Sequence, residues 1–120
     1  MGLRFLAYQP AAAPHVVRLW NESIGEVFPL REEVLRQCLE GNPSARPEDG
    51  CLAWADDERL VGFGYLGVHR LATPEMASFQ GRAQIQAIIV HPELRRRGIG
   101  RLIAGHLTDV ARGEGAARLE

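Results

Sequence analysis

The sequence predicts an α/β (α+β) fold, a sheet flanked by helices, on three observations. Runs with strand character alternate with runs at helical spacing along the whole chain. Two of the strand runs, Cys51–Ala55 and Leu60–Val68, are separated by the tight turn Asp56–Arg59 and read as a hairpin. A third, Ala83–Val90, passes through a turn bearing Pro92 and Gly98 into a helix from Gly98 to about Arg112. A chain of 120 residues makes one domain, or a large part of one, and can bury roughly two thirds of its unfolded surface.

Leu3–Tyr8 is a short apolar strand, closed by Pro10 and the small run Ala11–Ala13. From Pro14 the spacing becomes helical: Val16, Val17, Trp20, Ile24, Val27 and Phe28 share a face, and Pro29 ends the element. A second helix, Arg31–Leu39, presents Val34, Leu35, Cys38 and Leu39, with Gly41 as its stop. Asn42–Gly50 is a polar loop before the hairpin. Gly62, Gly64 and Gly67 weaken the second hairpin strand but let another chain element or a ligand come close. Leu71–Arg82 reads as a loop. In Ala83–Val90, strict alternation sets Ile85, Ala87 and Ile89 against Gln84, Gln86, Ile88 and Val90. The last helix turns Ile99, Leu102, Ile103, His106, Leu107 and Val110 toward a core, and Gly113 and Gly115 end it. Ala116–Leu119 begins a new extended run, an unusual place for a domain to finish.

Composition excludes several classes. A formal net charge of −1 argues against a general nucleic-acid surface, although Arg95, Arg96 and Arg97 form one local basic patch. No apolar run approaches the ~20 residues of a membrane span, and MGLRFLAYQP lacks the apolar core of a signal peptide. A cytoplasmic protein is the expectation, with neither nucleic acid nor membrane as partner. Cys38 and Cys51 match no disulfide, zinc or redox pattern, so both are expected as small buried residues, and no metal site is expected.

The segment Ile88–Arg101, IIVHPELRRRGIGR, carries the functional signal. The start of a helix offers backbone N–H groups with no intrahelical partner, and its dipole favours an anion. Gly98 and Gly100 let a phosphate approach the backbone without meeting a Cβ. Such a cradle suits a diphosphate-bearing ligand. It is neither a dinucleotide fingerprint, which would need glycine at Ile103, nor a P-loop, since no Gly-Lys-Ser/Thr follows.

Val90–Arg101 closely resembles the acetyl-CoA motif of the GNAT N-acetyltransferase superfamily. That motif reads Gln or Arg, two residues, Gly, any residue, then Gly or Ala, here Arg95, Arg96-Arg97, Gly98, Ile99, Gly100. The order of strand, two helices, hairpin, strand, motif and helix resembles the same fold across residues 3–119. The resemblance implies a mixed, mostly antiparallel sheet flanked by helices. It also implies that residues 1–120 are a single GNAT-like domain lacking its C-terminal part, either truncated or the first domain of a tandem protein. A second such domain, or a homodimer, is then a possible partner. By the same resemblance, the amides of Arg96, Arg97, Gly98, Ile99, Gly100 and Arg101 hold the pyrophosphate of acetyl-CoA. Ile88, Ile89 and Val90 pair with its pantetheine arm, and Arg95 and Arg101 reach phosphate oxygens.

The chemistry is less legible than the binding motif. Many relatives carry an acid late in the strand before the motif, where this chain has Gln86 and Ala87. Glu75 lies in a loop, Glu93 reads as a surface residue, and His91 as a polar turn residue. His69 could approach from a strand end, His106 reads as a partly buried helix residue, and His15 carries no signal. Tyr8 and Tyr65 do not occupy the place of the family's thiolate-protonating tyrosine, so no catalytic residue is assigned. Two functions remain open. One is transfer of an acetyl group to an amine of a small molecule or peptide by direct attack. The other is a non-catalytic acyl-CoA-binding or structural domain of a larger protein.

Overall fold

The computed structural model describes residues 3–41, 45–55, 58–68, 82–113 and 118–119. In chain order they form β1 (Leu3–Ala7), α1 (Ala13–Ile24), α2 (Glu32–Leu39), β2 (Gly50–Ala55), β3 (Leu60–Val68), β4 (Arg82–Val90), α3 (Ile99–Gly113) and β5 (Arg118–Leu119). Short 3-10 turns at Pro10–Ala12, Pro47–Asp49 and Pro92–Leu94 join them. Each turn begins with proline, which has no N–H to satisfy and a backbone already set for a first helical position.

The sheet runs β1-β2-β3-β4-β5 in space. Neighbours are antiparallel except the last pair, where β5 runs parallel to β4 and meets it at Arg82 and Ala83. The expected mixed, mostly antiparallel sheet flanked by helices is therefore present. α1 and α2 cover one face, packing Val16, Leu19, Leu35 and Leu39 onto Leu52, Phe63 and Ile89. α3 covers the other, packing Ile99, Ile103, Leu107 and Ala111 onto Ala53, Val61 and Leu66. The glycines of β3 explain how closely α3 sits. A Cβ on Gly62 would lie 2.8 Å from Ile103 Cδ1, and one on Gly64 would overlap Ile103 Cγ2 outright. Gly62 and Gly64 thus serve helix packing, whereas a Cβ on Gly67 would meet Gln86 Nε2 at 2.6 Å.

Several expected side-chain placements differ. α1 stops at Ile24, so Val27 and Phe28 do not extend its buried face and are 72% and 65% exposed. Asn21 fixes this early exit: its side chain accepts from the Leu30 N–H at 2.9 Å and donates to the Leu30 carbonyl at 3.1 Å. Trp20 Nε1 adds a 2.7 Å bond to the Phe28 carbonyl. On α3, Leu102 is half exposed, and His106 is exposed with its ring stacked on Phe5 at 4.9 Å. Ala111 takes the fourth buried position of the stripe begun by Ile99, Ile103 and Leu107. The loop expected at Leu71–Arg82, except Arg82 itself, lies outside the described residues, as do His69, Glu75 and Gly115.

The two cysteines differ as well: Cys51 is buried, as expected, but Cys38 is exposed. Burial pushes the Cys51 thiol up to about 11. At pH 8 it therefore carries almost no thiolate, and access is closed too. A thiol-specific chromogenic reagent is expected to titrate one cysteine rapidly in the native protein and the second only after denaturation.

Candidate functional site: the end of β4 and the start of α3

Register explains what the end of β4 offers. His91 donates its backbone N–H to the Val61 carbonyl at 2.9 Å, and Ile89 sits opposite Phe63. In an antiparallel ladder, alternate residues turn their peptide groups toward a given neighbour. Ile89 and His91 thus spend theirs on β3, whereas Ile88 and Val90 turn theirs to the opposite edge. That edge meets β5 only at Arg82 and Ala83 among the described residues. Of the three residues expected to pair with a pantetheine arm, Ile88 and Val90 have main-chain groups facing the open edge. Ile89 has its groups in the β3 ladder and its side chain in the core. The Val90 carbonyl accepts a 3.3 Å bond from Arg95 Nε, so Arg95 is folded back onto the strand end.

Farther back, the register slips between Tyr65 and Leu66: Tyr65 faces Ala87, Leu66 faces Ile85, and Gln86 is the extra residue of a β-bulge. The bulge overturns the strict alternation expected for this strand. Ile85 joins Ile88 and Val90 on the α3 face, while Gln86 and Ala87 both line a cavity under α1 and α2, the side to which Ile89 also points.

After Val90 the chain turns sharply. Leu94 is buried and anchors the turn, and Arg95, Arg96, Arg97 and Gly98 are exposed. Among the described residues only Glu58, Arg96 and Gly98 have left-handed backbone angles, and two of these lie in this turn, at φ 68° and 79°. Arg96, as a non-glycine residue, pays about 1–2 kcal/mol for that region, whereas Gly98 adopts it without that cost. A Cβ on Gly98 would meet no atom within 4 Å, which means that the space before it is open. On Gly100 it would touch only Ile88 and Val90 side chains, at 3.7 Å. The first ladder bond of α3 runs from the Leu102 N–H to the Gly98 carbonyl at 3.0 Å. Ile99, Gly100 and Arg101 therefore contribute N–H groups without intrahelical acceptors. An open turn at a helix start, with Arg96, Arg97 and Arg101 exposed in or beside it, offers room and positive charge for a pyrophosphate.

His91 proves more than a polar turn residue. Its Nδ1 accepts from the Glu93 N–H at 3.2 Å, which leaves Nε2 as the proton-bearing nitrogen, 3.3 Å from Glu22 Oε2 on α1. The ring thereby ties α1 to the strand end. Nothing in local sequence announces a partner so many residues away. Elsewhere, Tyr8 donates to Glu40 at 2.8 Å, and burial and that carboxylate push its phenol far above the usual range. Tyr65 lines the cavity beside Gln86 and Ala87, and burial raises its phenol, with Cys38 and Asp49 adding to the effect. His15 lies edge-on to Trp54 at 5.2 Å, away from this site. Among the described residues no cluster of His, Cys, Asp or Glu could hold a metal ion, and no helix is long and apolar enough to cross a membrane.

The fold and this strand–turn–helix site define a class, and comparison with known proteins gives it a family. The family model described as "Acetyltransferase (GNAT) family" matches residues 14–120, and the chain belongs to that family. No curated protein matches the sequence. Among solved structures, the ribosomal-protein-S18-alanine N-acetyltransferase from Escherichia coli superposes with a TM-score of 0.75 at 17% identity, over 98% of this chain and 64% of that one. The ribosomal-protein-alanine N-acetyltransferase from Brucella melitensis biovar Abortus gives 0.71 at 19%, over 98% and 77%. The loading GNATL domain of CurA from Lyngbya majuscula gives 0.73 at 17%, over 97% and 62%. At these identities the likeness is one of fold. The chain spans somewhat under two thirds of the Escherichia coli enzyme and of the CurA domain.

Proposed function

We propose that this chain binds acetyl-CoA and transfers its acetyl group to an amine by direct attack on the thioester. Membership of the GNAT family supports coenzyme A-dependent acyl transfer in general. The observation that carries the proposal for this chain is the left-handed turn at Arg96 and Gly98, opening onto the first amides of α3 beside the end of β4, whose outer edge meets β5 only at Arg82 and Ala83 among the described residues.

In this reading Arg96, Arg97, Gly98, Ile99, Gly100 and Arg101 hold the pyrophosphate through main-chain N–H groups. Ile88 and Val90 align the pantetheine arm as if it were one more strand. Arg95 closes the corner between them. A strand-edge amide, that of Ile88 or Val90, faces the side on which negative charge would grow on the thioester oxygen, and fixed donors of this kind cost no reorganisation during reaction. The rest of the contribution is alignment of two reactants. With Tyr8 committed to Glu40, its hydroxyl is not available to protonate a departing thiolate.

A second reading, a domain that binds acyl-CoA without catalysis, draws on Gln86 and Ala87, which put no carboxylate at the bulge. Calorimetric titration with acetyl-CoA, paired with an assay for released coenzyme A thiol, separates the two. Micromolar binding with amine-dependent thiol release supports transfer. Binding without release for any amine supports the second reading, and ATP binding as tightly as acetyl-CoA would count against both.

A further inference from the structure

On the α1–α2 face of the sheet lies a cavity of about 230 Å³. Trp20, Leu35, Leu39 and Phe63 form its walls, and Gln86 and Ala87 on the bulge of β4 form part of its lining. None of the described residues around it is charged: its polar side chains are Gln86, Tyr65, Cys38 and Trp20, whose indole N–H is already given to the Phe28 carbonyl. The phenol of Tyr65 stays protonated, because burial raises it. The carboxylate next along α2, Glu40, is already held by Arg36 at 2.9 Å and by the Tyr8 hydroxyl.

Position ties this cavity to the transfer reaction proposed above, on which the inference rests. Ala87 lies three residues back from Val90, roughly 10 Å of extended strand. An arm that starts at the Gly98 turn and follows the edge of β4 brings its far end beside the bulge. The bulge turns Gln86 and Ala87 together toward the cavity, so the cavity opens where the acyl carbon would arrive.

We infer that the acceptor is a primary amine carried on an uncharged, apolar group of about arylalkyl size, and that this cavity selects it. An apolar cavity of ~150 Å³ takes up benzene, so the space here suits a ring and a short tether. A second ammonium or a carboxylate on the acceptor would lose its hydration with no charged partner in return, which disfavours polyamines and aminoglycosides. The same walls bear on the chemistry. Desolvation disfavours the ammonium form, so a bound amine is shifted toward its neutral, nucleophilic state. That shift supplies what a carboxylate base would otherwise provide at Gln86 or Ala87. In the balanced step the amine nitrogen bonds to the thioester carbon, the carbon–sulfur bond breaks, and the nitrogen's surplus proton leaves with the sulfur as coenzyme A thiol.

The test compares 2-phenylethylamine with spermidine in acetyl-CoA-dependent thiol release at pH 8, with direct binding of each amine followed by saturation-transfer NMR. The expected result is at least a tenfold higher kcat/KM for 2-phenylethylamine. Two perturbations then fill or charge the cavity from its accessible side: alkylation of the exposed Cys38 with N-phenylmaleimide, and Val34→Glu at a half-exposed lining position. Both are expected to cut kcat/KM for 2-phenylethylamine at least tenfold while leaving the acetyl-CoA Kd unchanged. Spermidine matching or exceeding 2-phenylethylamine overturns the inference, as does a 2-phenylethylamine response indifferent to both perturbations. Acetyl-CoA binding without 2-phenylethylamine binding overturns the cavity assignment alone. Amine binding without acetyl-CoA binding overturns the acyltransferase reading instead.

Discussion

Gly98→Asn is expected to weaken acetyl-CoA binding about a hundredfold while leaving the melting temperature close to that of the parent protein. The backbone at Gly98 is left-handed, with φ at 79°. Asparagine tolerates that region better than other side chains, so the fold should lose little. Its Cβ would meet no protein atom within 4 Å, so any lost affinity arises in the space outside the turn. There a side chain would stand between the ligand and the amides. Losing two charge-assisted hydrogen bonds at about 1.5 kcal/mol each, the lower end of their usual range, accounts for the magnitude, since about 1.4 kcal/mol is a factor of ten. Gly98→Val should be just as poor a binder and also less stable, because a branched side chain is strained at positive φ, by about 1–3 kcal/mol. Gly105→Ala is the control. It lies on α3, its Cβ also meets nothing within 4 Å, and replacing a helical glycine should stabilise by roughly 0.5–1 kcal/mol without altering binding. Calorimetry of all three with acetyl-CoA decides the matter. Parent-like affinity in Gly98→Asn would place the pyrophosphate elsewhere.

How much of this could be seen in sequence depends on the range over which each feature is determined. The strands and helices are local patterns, and β3 at Leu60–Val68 and the start of the last helix at Gly98–Ile99 emerge from sequence nearly as they stand. The glycine turn was legible for the same reason, because its spacing encodes a backbone requirement at one place. What escaped were consequences of pairing and closure. The bulge at Gln86 is a slip of one strand against another, and no periodicity within β4 reveals it. From it follow the reversed facing of Ile85 and the joint orientation of Gln86 and Ala87. Val27 and Phe28 continue the apolar spacing of α1, but Asn21 bonds to Leu30 and turns the chain away before they can be buried. Cys38 sits one residue before a buried Leu39 on an eight-residue helix, where a small rotation about the axis decides exposure. The contact between Glu22 and His91 joins elements with no local signal in common.

The close approach of α3 to β3 should appear as a negative coupling between two substitutions. Gly64→Ala alone is expected to destabilise by about 1–3 kcal/mol, the usual cost of overpacking. Its Cβ would overlap Ile103 Cγ2 and lie 3.0 Å from Leu107 Cδ1, and both side chains are fully buried. Neither can swing aside as a surface side chain would. Ile103→Ala alone should cost about 2–5 kcal/mol, through lost burial and the cavity left behind. Together the two should cost less than their sum by about 1–2 kcal/mol, because the new methyl then enters space that Ile103 vacated. Only the contact with Leu107 would remain tight. Urea denaturation of the four proteins in the cycle measures this directly, provided that the m-values agree. Strict additivity would mean that helix and strand do not press on each other at Gly64. The glycine would then owe its place to strand conformation alone. Coupling of the expected sign bears on function as well, because Gly62 and Gly64 seat the helix whose first turn carries Gly98 and Gly100. On that geometry, Gly64→Ala displaces the start of α3 relative to the end of β4. Acetyl-CoA affinity in Gly64→Ala should then fall by more than unfolding alone explains, and Ile103→Ala should restore part of it.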